Sequence, residues 1–233
     1  MKVNNDIVSR CESAEHLGHL LHTKNTAKVL IEHSIKEFKK HYHNFISRFD
    51  GCYNTAKNKL FHQYCSSMYG SQLWDMTSPI VDNIYTQWRK AHRQVLGLPN
   101  MTHCDLLPLI AENMPLQSIL DCKYIAFYKS IAKSDNKIVS FTAKYKLHDH
   151  TSTLGRNITH IMHKYDFDVD DIISFSKQRV KELCYNKWLS GVNDEYPMYA
   201  QIIKDMIKMR EGRCTRLFSN EDCNFIINFC CII

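Results

Sequence analysis

Between Thr26 and Gly51 the apolar residues Ile31, Ile35, Phe38, Tyr42, Phe45 and Phe49 recur at alternating steps of four and three. A half-buried strand alternates by two. Steps of four and three instead draw one stripe down a 3.6-residue helix, so this segment can bury itself only as an amphipathic helix against other helices. Asn25 or Thr26 can cap its start, and Asp50-Gly51 ends it with a residue able to take positive φ. The opposite face carries Lys36, Lys39, Lys40, His43 and Arg48.

A second helix is predicted from Asn54 to Met68, burying Ala56, Leu60, Phe61, Tyr64 and Met68 and turning Lys57 and Lys59 outward. The third has the clearest punctuation: Ser78 as N-cap, Pro79 at the first helical position, and Gly97-Leu98-Pro99 as the stop. Ile80, Ile84, Trp88, Ala91 and Val95 form its buried stripe, with Arg89, Lys90 and Arg93 on the flanks. The connector between them reads Tyr69-Gly-Ser-Gln-Leu-Trp-Asp75. Gly70 permits the bend, and Leu73 and Trp74 fold back to plug the end of the bundle.

Downstream, Thr102 to Asp105 has capping-box spacing, and Pro108 and Pro115 restart the chain into a long helix through Ser134. Further helices are predicted over 136–146, 156–165, 170–190 and 198–210, with a last one from Ser219 carrying Phe225, Ile226 and Phe229. Near the N-terminus the run His16-Leu-Gly-His-Leu-Leu-His22 suits a strand or hairpin. Seven glycines and five prolines in 233 residues leave few breakers. The expected fold class is therefore mainly α, a multi-helix bundle with a short N-terminal strand or hairpin remnant.

Thirty Lys and Arg against 24 Asp and Glu give a formal charge of +6, which suits a polyanionic partner. The N-terminus lacks the apolar run of a secretory signal, so an intracellular chain with free thiols is expected despite ten cysteines. Two Asn-x-Thr triplets, at Asn100 and Asn157, are then chance matches. No apolar run approaches the roughly 20 residues needed to cross a bilayer. No metal or other cofactor is expected: there is no Cys-x-x-Cys, and the pairs His148/His150 and His160/His163 have no partner pair at ligand spacing. Asp166, Asp168 and Asp170 alternate as in a calcium loop, but Asp171 stands where the turn glycine belongs and Lys177 where the bidentate glutamate belongs. Acidic side chains at a helix N-terminus explain them better. Cys230-Cys-Ile-Ile233 matches a prenylation pattern, but the preceding segment is acidic and apolar instead of polybasic.

The run Phe61 to Asp75, followed by Gln87 to Ile110, resembles the region after the polymerase core in reverse transcriptases of non-LTR (LINE-type) retrotransposons. Tyr69, Gly70 and Trp74 of the corner, Trp88 of the following helix, and Pro99 and His103 of the next turn carry the resemblance. The segment from Leu217 to Cys231 is similar to the family's C-terminal end, and Leu17, Gly18 and His19 resemble the element that closes the palm beside the primer 3′ end.

That resemblance implies three parts: a palm-closing remnant over 1–24, a thumb-like three-helix bundle over 25–98 and a post-thumb helical region over 99–233. It implies a truncated element without polymerase chemistry of its own, since the family's metal-binding aromatic-Ala-Asp-Asp loop is not in the sequence; Asp170-Asp171 follow Val169 and lie on the wrong side of the Leu17-Gly-His19 element. It also implies weak, sequence-blind contact with RNA or DNA backbone through Lys36, Lys39, Lys40, Arg48, Lys57, Lys59, Arg89, Lys90 and Arg93. The missing palm would be the natural partner. The rival reading is a relic or captured helical domain that works only through protein contacts, self-association included, by way of exposed apolar stripes.

Overall fold

The computed structural model describes residues 2–3, 6–7, 12–16, 19–22 and 27–211. Two short antiparallel pairs lead the chain: β1 (Lys2–Val3) with β2 (Asp6–Ile7), and β3 (Ser13–His16) with β4 (His19–His22), where Ser13 faces His22 and His16 faces His19. His19 thus opens the second strand of a hairpin. Leu17 and Gly18, the caps proposed at Asn25 and Thr26, the helix from Ser219 and the Cys230 tail lie outside the described residues.

All other regular structure among the described residues is helical. The first unit comprises α1 (Ala27–Phe49), α2 (Asn54–Tyr64) and α3 (Val81–Leu96). Ile31, Phe38 and Phe45 of the α1 stripe are buried, and Ile35, Tyr42 and Phe49 pack against them. Phe61 of α2 sits at the centre, with Phe38, Phe45, Trp88 and His92 rings within 6.5 Å of its own. Helix α2 is shorter than expected and leaves Ala56 and Tyr64 exposed, because the chain turns at Cys65 and takes positive φ at Met68. Helix α3 starts at Val81; Ser78, Pro79 and Ile80 form tight turns whose carbonyls accept from the amides three residues on. Gly97 closes it in the left-handed region at φ 69°, as a C-terminal glycine does.

The remaining helices are α4 (Leu107–Ile110), α5 (Leu116–Ala132), α6 (Lys137–Leu147), α7 (Thr153–Tyr165), α8 (Val169–Ser174), α9 (Lys177–Glu195) and α10 (Pro197–Glu211). Two expectations need correction. The continuous helix over 170–190 breaks at Phe175, where extended backbone lets the Ser176 hydroxyl accept from the Arg179 amide and cap a new helix. No capping box forms at Thr102: its side chain is buried, and His103, which stands at the N-cap, makes no side-chain cap bond. The capping box lies instead at α8, where Asp168 accepts from the Asp171 amide at 2.6 Å and Asp171 accepts from the Asp168 amide at 3.2 Å. Those aspartates stand at the N-terminus of a helix, as the sequence indicated.

Helix α5 unites the structure. Its Leu116 and Leu120 complete the first core, while Tyr124, Ile125 and Tyr128 belong to a second formed with α7, α8 and α9. A third core, around Leu107, Ile110, Val192 and Ile203, joins α4, α9 and α10. The boundary expected at residue 98 is therefore bridged by buried side chains.

One polar chain threads the first core. Asn58 donates its amide to the Ala111 carbonyl at 3.1 Å, which turns its oxygen toward His92 Nε2 at 2.9 Å. His92 Nε2 must then carry the proton, leaving Nδ1 as a bare, buried acceptor without a partner. Burial pushes His92 well below the usual imidazole range, helped by the neighbouring His62, and pushes His62 down to about 4. Because both folded values are depressed, the unfolded chain binds these protons first. The stability they sustain is complete above about pH 6.5 and is lost as pH falls toward 4, by up to about 1.4 kcal/mol per pH unit for each imidazole. Thermal melts followed by circular dichroism should show a midpoint that drops between pH 7 and pH 4.5, and His92→Gln should flatten that drop.

Candidate nucleic-acid interface

The connector Tyr69–Asp75 was singled out in the sequence, and its geometry sets the surface around it. Gly70 takes φ 79°, Ser71–Leu73 form a single 3-10 turn, and Trp74 is 1% exposed. Leu73 does not fold back with it but stays about half exposed. The corner is pinned from α7: Asn157 Nδ2 donates to the Trp74 carbonyl and Asn157 Oδ1 accepts from the Met76 amide, both at 2.8 Å. Arg156 adds a 2.7 Å bond to Asp75. Trp88 is also buried and donates Nε1–H to Ser66 Oγ at 2.8 Å. Pro99 accepts from the Thr102 amide, and His103 meets Tyr196 Oη at 3.1 Å. Trp74 and Trp88 are structural, whereas Tyr69 and His103 are exposed.

The nine proposed cations divide into three groups. Lys36, Lys39 and Lys40 are exposed on one side of α1, with Lys40 3.5 Å from the exposed Glu37 carboxylate. Lys90 is exposed on α3, one turn from Gln94, whose Oε1 accepts the Tyr42 hydroxyl of α1 at 2.6 Å. Lys39 also stands one turn from that bond, so helical spacing puts Lys39 and Lys90 on the two flanks of one interhelical seam. Lys39 and Lys90 are the pair that spacing places at this seam; Lys36 and Lys40 lie farther round α1, about 120° and 160° from Tyr42.

Arg48 and Lys59 are exposed but stand apart from it. At 100° per residue, Arg48 lies about 120° around α1 from Lys36. Lys59 projects from α2.

The third group is committed to the fold. Arg93 corrects the sequence expectation: it is 9% exposed, its Nε–H donates to the Thr102 carbonyl at 2.9 Å and Nη2 to Cys104 Sγ at 2.9 Å. The hydrophobic stripe of α3 is wider than one face, and Arg93 sits on the side that meets the Thr102–Leu106 turn. Lys57 is 14% exposed and lies 3.6 Å from Asp50, so it ties the α1–α2 turn. Arg89 is half-buried in a separate cleft of about 340 Å³, shared with Asp105, Lys187, Trp188 and Glu195. The lining sets Arg89, Lys164 and Lys187 beside Asp105 and Glu195, with Lys164 already paired to Asp121, so the cleft carries both signs of charge. No spacing signal distinguished these three from the exposed lysines. Their partners come from elements that α3 and α2 meet only in three dimensions.

Among the described residues, no group of three or more His, Cys, Asp or Glu is placed to hold a metal ion, and no helix is long and apolar enough to cross a membrane. No protein-family model, curated protein or solved structure matches the chain.

Truncating Arg93 strips a buried charged donor from the Thr102 carbonyl. Arg93→Ala should therefore lower stability by about 2–3 kcal/mol in urea titrations. Lys36→Ala, on the open face, should change it by less than about 0.5 kcal/mol.

Proposed function

We propose that this chain is a thumb-like helical module of the kind that follows the palm in non-LTR retrotransposon reverse transcriptases. In this reading it holds a nucleic-acid backbone weakly and without sequence preference. The observation that carries it is the Tyr42–Gln94 bond, which stitches α1 to α3 with exposed Lys39 on one flank and Lys90 on the other. Lys36 and Lys40 are exposed on α1 within about 100° of Lys39, farther round the helix from the seam, and widen the cationic surface there.

Ammonium groups on flexible four-carbon stems meet phosphates as point charges and displace condensed counterions, which requires no base-reading geometry. Four such lysines give modest affinity. The smaller set also supports weaker binding than nine cations would. No catalytic role is part of the proposal, because the sequence carries no aromatic-Ala-Asp-Asp loop.

A second reading is favoured by α6. Ile138, Phe141 and Tyr145 stand at helical spacing on its surface, 77%, 69% and 65% exposed. An apolar stripe that open suits self-association or another protein contact.

Anisotropy titration of a labelled duplex with the full chain separates the two. Lys36→Glu, Lys39→Glu, Lys40→Glu and Lys90→Glu combined should abolish binding and leave the sedimentation behaviour unchanged. In the unsubstituted chain the logarithm of affinity should fall against the logarithm of salt with a slope of roughly −3 to −4. A flat salt response, or full affinity in the reversed variant, overturns the nucleic-acid reading.

A further inference from the structure

On the far side of α5 lies a groove of about 1020 Å³, bounded by α5 and by the α8–α9 junction. Its floor is apolar and mainly aliphatic, with Met114, Ile119, Ile125 and Phe127 on one wall and Phe175 and Val180 on the other. Five lysines line it: Lys123, Lys129 and Lys133 from α5 and its end, and Lys177 and Lys181 from the first turns of α9. No carboxylate does.

The five cations do two jobs. Lys123 donates to the Ser67 carbonyl, and Lys129 donates to the Phe175 carbonyl at 2.5 Å, which ties α5 across to the α8–α9 junction. Lys133, Lys177 and Lys181 are exposed, and their ammonium groups form no hydrogen bond or salt bridge with any described residue. The nearby acids Asp135 and Glu182 are exposed outside the groove lining, and Glu182 already accepts from Gln178. A low-dielectric trough rimmed by one sign of charge focuses its field on whatever enters.

We propose that this groove receives an acidic amphipathic helix of a partner protein. Its apolar face rests on the floor between Ile119 and Val180, and its carboxylates lie among Lys133, Lys177 and Lys181. Three features select this occupant. From Ile119 to Lys133 the α5 wall runs about 21 Å, the length of four helical turns. Separated free lysines along the rim ask for several anions, so a single fatty-acid carboxylate would leave most of them unanswered. The floor is too aliphatic to serve as a stacking platform, whereas apolar side chains at i, i+3, i+4 and i+7 fill such a trough. This inference is independent of the α1–α3 strip, which lies on other elements.

The probe is a fluorescein-labelled peptide of about 18 residues, long enough to span the wall. Leucines at helix spacing form one face and glutamates flank them. A second peptide replaces every glutamate with lysine, and a labelled oligothymidylate represents nucleic acid. The full chain should bind the acidic peptide and not the basic one. Lys133→Glu, Lys177→Glu and Lys181→Glu combined should weaken that binding by about tenfold or more, since they reverse the charge the carboxylates meet. These positions are exposed, so an unchanged circular dichroism spectrum confirms a folded variant, while reversal at Lys36, Lys39 and Lys40 should leave peptide affinity intact. Absence of acidic-peptide binding, equal binding of the two peptides, or an unaltered affinity in the groove variant overturns the proposal. So does an oligothymidylate that binds through these three lysines in place of the acidic peptide.

Discussion

The buried amide of Asn157 is the contact on which the rest of the structure depends. It lies fully inside the protein and satisfies two backbone groups of the Trp74 corner at once, donating to one and accepting from the other across more than 80 residues of sequence. Without it, a carbonyl and an amide would sit beside the core unpaired, at a cost of about 1–3 kcal/mol each. The clamp fixes where Trp74 enters the first core. It also sets how α7 meets the connector between α2 and α3.

Packing between helices determines which cations are free. Arginine and lysine occur on most of the helices, yet Arg93 and Lys57 are drawn inward and Arg89 is half-buried in a cleft shared with acids, while Lys36, Lys39, Lys40 and Lys90 remain in solvent. The difference is not intrinsic to the residues. It follows from what each helix finds opposite it: the Thr102 carbonyl for Arg93, a terminal aspartate for Lys57, and open water for the rest. Two separate surfaces, the α1–α3 seam and the α5–α9 groove, each carry free positive charge. They differ in chemistry, because the first has a polar setting and the second an apolar floor.

Much of the helical architecture was legible in the chain because period and punctuation act locally. The period of the α1 stripe, Gly97 as a left-handed stop and the Asp168–Asp171 cap depend on neighbours within a few residues, and the bulk of Trp74 and Trp88 marks them for the core wherever it forms. The errors fall where a distant partner decides. Leu73 stays outside, and Ser176 interrupts what reads as one long helix, since a hydroxyl cap competes with continuation and Phe175 packs on Phe167. The candidate surface was half legible for the same reason: charge type and helical face can be read from spacing, but burial against another element cannot.

By itself the sequence determined that this chain is mainly helical, where most of its turns fall, and which residues carry positive charge, because hydrophobic period, glycine φ and side-chain chemistry are properties of short segments. Only the tertiary structure decided that α5 would be shared by two cores, that Arg93 would become a buried strut, and that five lysines from two distant segments would rim one groove. Those outcomes depend on which surfaces meet across tens of residues, and packing and the pairing of buried polar groups settle that globally, since each helix can satisfy its own period in several arrangements.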